Sequence, residues 1–196
     1  KNKNVIIHID NLISKDNLTL FQKNFINCEK NSNVLILEHF NSDKICNNNF
    51  VNFIDIEENA NVTHLIFQKN SKNSNLQSTS FTNCKSYSKY KQVTINISQS
   101  SVRNHHYANL LGEEASADLD GIFFSSSNQI IDNKTQVNHN FPSCKSSQRY
   151  KGILTDNSKA SYLSKTYVDK EAQLTEAYQL SKGILLSDSS SFHSKP

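Results

Sequence analysis

Short runs in which apolar and polar residues alternate recur along the whole chain, and this two-residue period limits what the chain can become. In Val93-Thr94-Ile95-Asn96-Ile97-Ser98 successive side chains face opposite sides, so such a run is a strand with one buried face. Similar runs span Val5 to Ile9, Val34 to Phe40, Phe50 to Ile56, Val62 to Phe67, Gln136 to Phe141, Tyr150 to Leu154 and Tyr162 to Val168. Clusters of Asn, Ser, Asp and Lys separate them, as at Asn70 to Asn75 and Asp156 to Lys159, and supply turn chemistry without glycine. Only the segment from Lys170 to Leu186 carries spacing that also suits an amphipathic helix.

Hairpins favour Asn-Gly or Asp-Gly loops, and with 4 glycines the chain has almost none beyond Asp120-Gly121. Parallel coiling has no such requirement. A loose repeat, an acidic turn followed by Ala and a strand, occurs at Glu57 to Ala60, Glu113 to Ala115, Asp156 to Ala160 and Asp169 to Ala172. A small residue where a coil begins lets the backbone turn tightly over the coil below. The expected fold is all-β, a parallel β-helix, in one domain over residues 1–196.

Composition agrees with a thin, elongated core. Apolar residues are 36% of the chain, against roughly 45–50% in ordinary globular domains. The 21 basic and 18 acidic residues nearly cancel, and no basic run with interleaved aromatics marks a nucleic-acid partner. No apolar stretch reaches the roughly 18 residues of a membrane span, and no secretion signal opens the chain, so a soluble, cytoplasmic protein is expected. Cys28, Cys46, Cys84 and Cys144 show neither C-x-x-C nor regular spacing, and read as small buried hydrophobes.

Several residue groups invite a chemical reading and do not sustain it. His105 and His106 are adjacent on an expected strand, so they face opposite sides and cannot jointly grip one ion. His139 and Cys144 flank a proline turn at a separation matching no standard ligand set. Glu57-Glu58 and Glu113-Glu114 fall at expected corners, where adjacent acids splay into solvent. Gly112, Gly121, Gly152 and Gly183 build neither a dinucleotide fingerprint nor a phosphate loop, and no G-x-S-x-G elbow is present. No catalytic, cofactor-binding or metal residue is assigned, and the chain is not expected to be an enzyme.

The C-terminal third carries a more specific signal. In order it reads His139-Asn140-Phe141-Pro142, Ser147-Gln148-Arg149-Tyr150-Lys151-Gly152, Ala172-Gln173-Leu174-Thr175-Glu176-Ala177-Tyr178-Gln179, Ile184-Leu185-Leu186-Ser187 and Lys195-Pro196. Leu110-Leu111-Gly112-Glu113-Glu114-Ala115 and Gln129-Ile130-Ile131-Asp132 extend it upstream, and Leu37-Glu38-His39-Phe40 more weakly. These segments resemble the SufB/SufD core family of iron-sulfur cluster assembly proteins. Pro142-Ser143-Cys144-Lys145-Ser146-Ser147 is closer to the SufD than to the SufB pattern. Ser164 and Lys165 stand where family glycines are common.

The resemblance implies a right-handed parallel β-helix that scaffolds cluster assembly, pairing with SufB and the ATPase SufC, with N- and C-terminal helical regions outside this chain. It implies no cofactor bound by this piece, only a transient iron-sulfur cluster in the full complex, and contact near the C-terminal coils or with a second copy. The readings it competes with are a β-helix enzyme acting on polysaccharide or acyl groups, and a solenoid adhesin.

Overall fold

The computed structural model describes residues 3–13, 15–71 and 73–195. Lys1 and Pro196, the ends of the expected domain and of its last motif, lie outside the described residues. Among the described residues fourteen strands follow one another: β1 (Lys3–Leu12), β2 (Leu18–Cys28), β3 (Ser32–Ser42), β4 (Cys46–Ile56), β5 (Asn61–Asn70), β6 (Asn75–Cys84), β7 (Lys89–Asn96), β8 (Ser101–Leu110), β9 (Ser116–Ser125), β10 (Ile130–His139), β11 (Lys145–Leu154), β12 (Lys159–Val168), β13 (Glu176–Leu185) and β14 (Ser191–Lys195). Odd strands form one seven-stranded sheet and even strands another, each in sequential order. All pairings are parallel, so the chain is a β-solenoid with one strand of each sheet per turn. The region that also suited a helix is strand β13, held in register against β11 from Lys145↔Glu176 to Leu154↔Leu185.

The corners explain how so little glycine suffices. Asn17, Asn31, Asn59, Asn73, Tyr87, Glu114, Ser127, Ser143, Asp156 and Leu174 have positive φ, and none of the glycines does. Asn and Asp tolerate the left-handed conformation because their short side chains hydrogen-bond locally. Where the even sheet leads into the odd one, the left-handed residue donates its N–H to the next turn, as Asn31 does to the Glu58 carbonyl (3.1 Å) and Asn59 to that of Ser86 (3.1 Å). The residue after it is small and buried: Ser32, Ala60, Ser88, Ala115 and Cys144 stack at this position. Ala172 is likewise buried at its turn, its N–H 2.9 Å from the Asp169 carbonyl. The third repeat, Asp156 to Ala160, differs from expectation. Ser158 occupies that corner, its N–H 3.3 Å from the Thr155 carbonyl, while Ala160 lies one residue inside β12 and packs with Phe123, Ile131 and Leu154.

Stacking in register also accounts for the Asn content. An amide is donor and acceptor at once, so identical amides one turn apart satisfy each other. Asn61 donates to Asn33 (3.1 Å) and Asn33 to Asn4 (3.1 Å). On the other sheet Asn138, Asn109 and Asn83 pass bonds along at 2.7, 2.9 and 2.8 Å to Asp55. Beside that ladder Phe25, Phe53, Phe81 and Tyr107 stack with centroids 5.0, 5.4 and 5.1 Å apart, and Lys134 lies 5.1 Å over the Tyr107 ring.

The interior is apolar along its two edges. Cys28, Ile36, Ile56, Val62, Cys84, Leu110 and Leu119 belong to the cluster on one side, and Phe40, Phe50, Ile66, Leu76 and Val102 to that on the other. Farther along, Tyr150 packs on Gly121, where an added Cβ would stand 2.2 Å from its ring. Gly121→Ala is therefore expected to destabilise the chain by about 1–3 kcal/mol through overpacking, read as a lower urea midpoint with an unchanged m-value.

Candidate functional site

Between the apolar edges runs a file of polar side chains, and the strand alternation places them there. Glu38 is in phase with Ile36 and Phe40 on β3, His64 with Val62 and Ile66 on β5, and His106 with Val102 and Ala108 on β8, so all three point inward. Each is fully buried. The Glu38 carboxylate accepts from Asn52 Nδ2 at 3.2 and 2.9 Å and lies 2.9 Å from His64 Nε2. His64 Nδ1 is 3.1 Å from the Tyr90 hydroxyl, which donates to Gln92 Oε1 at 3.0 Å. Gln92 in turn donates to Thr94 (3.2 Å) and accepts from Ser80 (3.4 Å). The Ser80 hydroxyl is 2.8 Å from His106 Nδ1, whose Nε2 is 3.4 Å from Thr94. Five side chains, His64, Tyr90, Gln92, Thr94 and Ser80, thus link Glu38 to His106 through the middle of the solenoid. A second knot follows, where Gln68 and Asn104 exchange bonds of 2.7 and 3.1 Å and Asn104 donates to Asn133 at 3.0 Å.

Burial removes acid–base reactivity from much of this interior. The His106 ring is pushed down to about 3 by desolvation, and His64 and His105 nearby act in the same direction. The Tyr90 phenol is driven far above its ordinary range by the same burial. Burial pushes the Cys28 thiol up to about 11 and that of Cys84 to about 12, and raises Cys144. All four cysteines are free and buried, as expected for small core residues.

The residues singled out by pattern lie where strand geometry sends them. His105 points outward, 3.6 Å from Asp132, while His106 points in. Asp132 is held at about 2 by its bond to His105, by Ser161 donating at 2.6 Å, and by Arg103 at 3.1 Å. Ser161, His105 and Asp132 therefore meet on the outer face with the carboxylate at the hub. The hydroxyl donates to the acid and not to the imidazole, so no base activates it. His139 and Cys144 have separate partners, Ser146 Oγ at 2.8 Å and the Gly112 carbonyl at 3.2 Å. Glu58 pairs with Lys30 (2.9 Å), and Glu114 is the left-handed corner residue. Among the described residues no three Cys, His, Asp or Glu side chains converge as ligands for a metal ion, and no helix is long and apolar enough to cross a membrane.

The sequence motifs and this architecture meet in one comparison. Residues 11–196 match the SufBD core domain of the SUF system for FeS cluster assembly. The chain belongs to that family. An iron-sulfur cluster assembly SufBD family protein of Synechocystis sp. is 27% identical over 150 residues, which is 76% of this chain and 33% of the relative. The chain thus spans about a third of the length of that curated relative. Membership ties the chain to a family that serves FeS cluster assembly.

The Glu38–His64 contact went unnoticed in the sequence, although polar residues in the inward phase of apolar strands are the signal that finds it. His64→Ala would leave the buried Glu38 carboxylate without its ring partner, and a loss of about 3–5 kcal/mol is expected in urea unfolding. Replacing both Glu38 and His64 with Leu is expected to cost less than this single change. Protonation gives a second test. Below pH 6.5 the unfolded chain binds a proton at His106 that the folded chain refuses until about pH 3, so stability is complete above that window and falls as pH drops through it. The limiting slope is about 1.4 kcal/mol per pH unit. His139, also lowered by burial, adds in the same direction. His106→Gln is expected to flatten this slope in unfolding curves recorded across the window.

Proposed function

We propose that the chain is the solenoid of a SufD-type subunit, a non-catalytic scaffold that pairs with SufB and the ATPase SufC while an iron-sulfur cluster is built. The observation that carries this reading is the state of its thiols. Iron and sulfide chemistry runs through thiolates, and here Cys28, Cys84 and Cys144 are enclosed with their acidities suppressed by burial. What the segment contributes is rigid surface, with the reacting groups held by partners. The SufD assignment rests on Pro142-Ser143-Cys144-Lys145-Ser146-Ser147-Gln148, where Cys144 fills the corner position and Ser147 points outward from β11.

The last turn supports partner contact at that end. The last described turn is built of β13, paired with β11, and β14, paired with β12. Exposed Tyr178, Ile184, Leu185 and Leu186 accompany it. Such side chains offer apolar area to another chain. Cytoplasmic residence follows from the assembly role.

Co-expression with SufB and SufC, followed by affinity isolation and cluster reconstitution, tests this. The expected result is a stable complex whose reconstitution is unchanged when all four cysteines are replaced by Ser or Ala in variants that still fold. Failure to associate would remove the scaffold role, and loss of reconstitution in folded cysteine variants would show that this segment handles sulfur or iron itself.

A further inference from the structure

The two outer faces of the solenoid differ. The even sheet presents amides, hydroxyls and the stacked aromatic ladder, whereas the odd sheet carries a continuous apolar stripe that crosses its strands obliquely. Register defines its path. Leu37 lies beside Leu65, Phe67 beside Ile95, Ile95 beside Ile122, Phe124 beside Ile153, and Ile153 beside Ile184. Leu35 stands two residues before Leu37 on the same face of β3, so the stripe begins there and ends at Ile184 on β13. Toward its end it is open to solvent, with Ile122 51%, Phe124 42%, Ile153 40% and Ile184 57% exposed, and these residues line a shallow groove with Ile97.

Charge on the margins is unbalanced. Lys151 and Lys182 line the groove, Lys69 lies two residues beyond Phe67 on the same face of β5, and none of the three has a carboxylate within ion-pair distance among the described residues. Asp120 on this face is already engaged, taking both bonds of Arg149 at 2.8 and 2.6 Å, while burial and the neighbouring Asp120 raise the Asp118 carboxyl and so disfavour its charge.

Dimensions select the occupant. From Leu35 to Ile184 the stripe crosses five strand spacings of about 4.8 Å and six residues of about 3.3 Å each, a diagonal of about 31 Å. A helix rising 1.5 Å per residue covers that with about 20 residues. The geometry points to a docking surface for an amphipathic helix of a separate polypeptide, its apolar stripe laid along the diagonal and acidic residues on its flanks meeting Lys69, Lys151 and Lys182. Apolar contact supplies the area, and the lysines set the polarity of the partner. The surface does not depend on the iron-sulfur role, since it lies on the side of the sheet and not at its terminal edge.

Two labelled 20-residue peptides with the same leucine stripe, one flanked by Glu and one by Lys, test this by fluorescence anisotropy against the 196-residue chain. The Glu-flanked peptide is expected to bind at least tenfold more tightly, and Lys151→Glu with Lys182→Glu to reverse the order. Phe124→Asp with Ile153→Asp is expected to abolish binding of both peptides while circular dichroism and the thermal midpoint hold. Should the aspartate variant fail to fold, the lysine variant decides. Equal affinity for the two peptides, or binding untouched by the lysine reversal, overturns the proposal. So does preferential capture by phosphatidylglycerol vesicles, which would make the face a membrane surface.

Discussion

In-register parallel stacking is the constraint from which the remaining features follow. Each backbone group bonds to the turn above or below, so a side chain is fixed over its counterpart one turn away. Columns of like residues become favourable and columns of like charge become costly. Asn ladders, the Phe25-to-Tyr107 ring stack and the small corner residues from Ser32 to Cys144 are all solutions to one problem, what can sit directly on top of itself. The scarcity of apolar residues is tolerable for the same reason, because a coil shares its buried face with two neighbours instead of enclosing a wide core.

Much of the fold was legible because alternation and turn chemistry are local. The runs at Val34, Phe50, Val62 and Tyr150 fall inside β3, β4, β5 and β11. None of the alternating runs marks out β2, β6, β8, β9, β13 or β14, and the reason is physical. Polar or very small residues interrupt the inward rows, as Ser78, Ser80 and Thr82 do on β6, Asn104 and His106 on β8 and Gly121 on β9, so hydrophobicity alternates weakly there even though burial alternates strictly on these three strands. The interior polar file was missed for the same cause. A reading that equates inward with apolar discards Glu38, His64 and His106, although their phase within the strand is plain.

That polar file does work that the apolar edges cannot. Leucine and isoleucine accept many neighbours, whereas Glu38 requires Asn52 and His64 at defined distances. Uncompensated burial of such groups is costly, so the network favours a single arrangement of the turns it spans over slipped alternatives. The same enclosure that fixes the shape also quiets the thiols that line it, as at Cys84.

The turns of the coil are not of equal length, and the inequality is confined to the corners. Asn75 lies beside Ser101, yet Lys159 lies beside Ser191, several residues farther along the chain. Inside a strand one additional residue would turn every following side chain inside out; at a bend it merely lengthens a loop. A lineage of such proteins is therefore free to insert and delete at the rims while the sheets keep their spacing, which makes the bends the natural place for new attachments to arise.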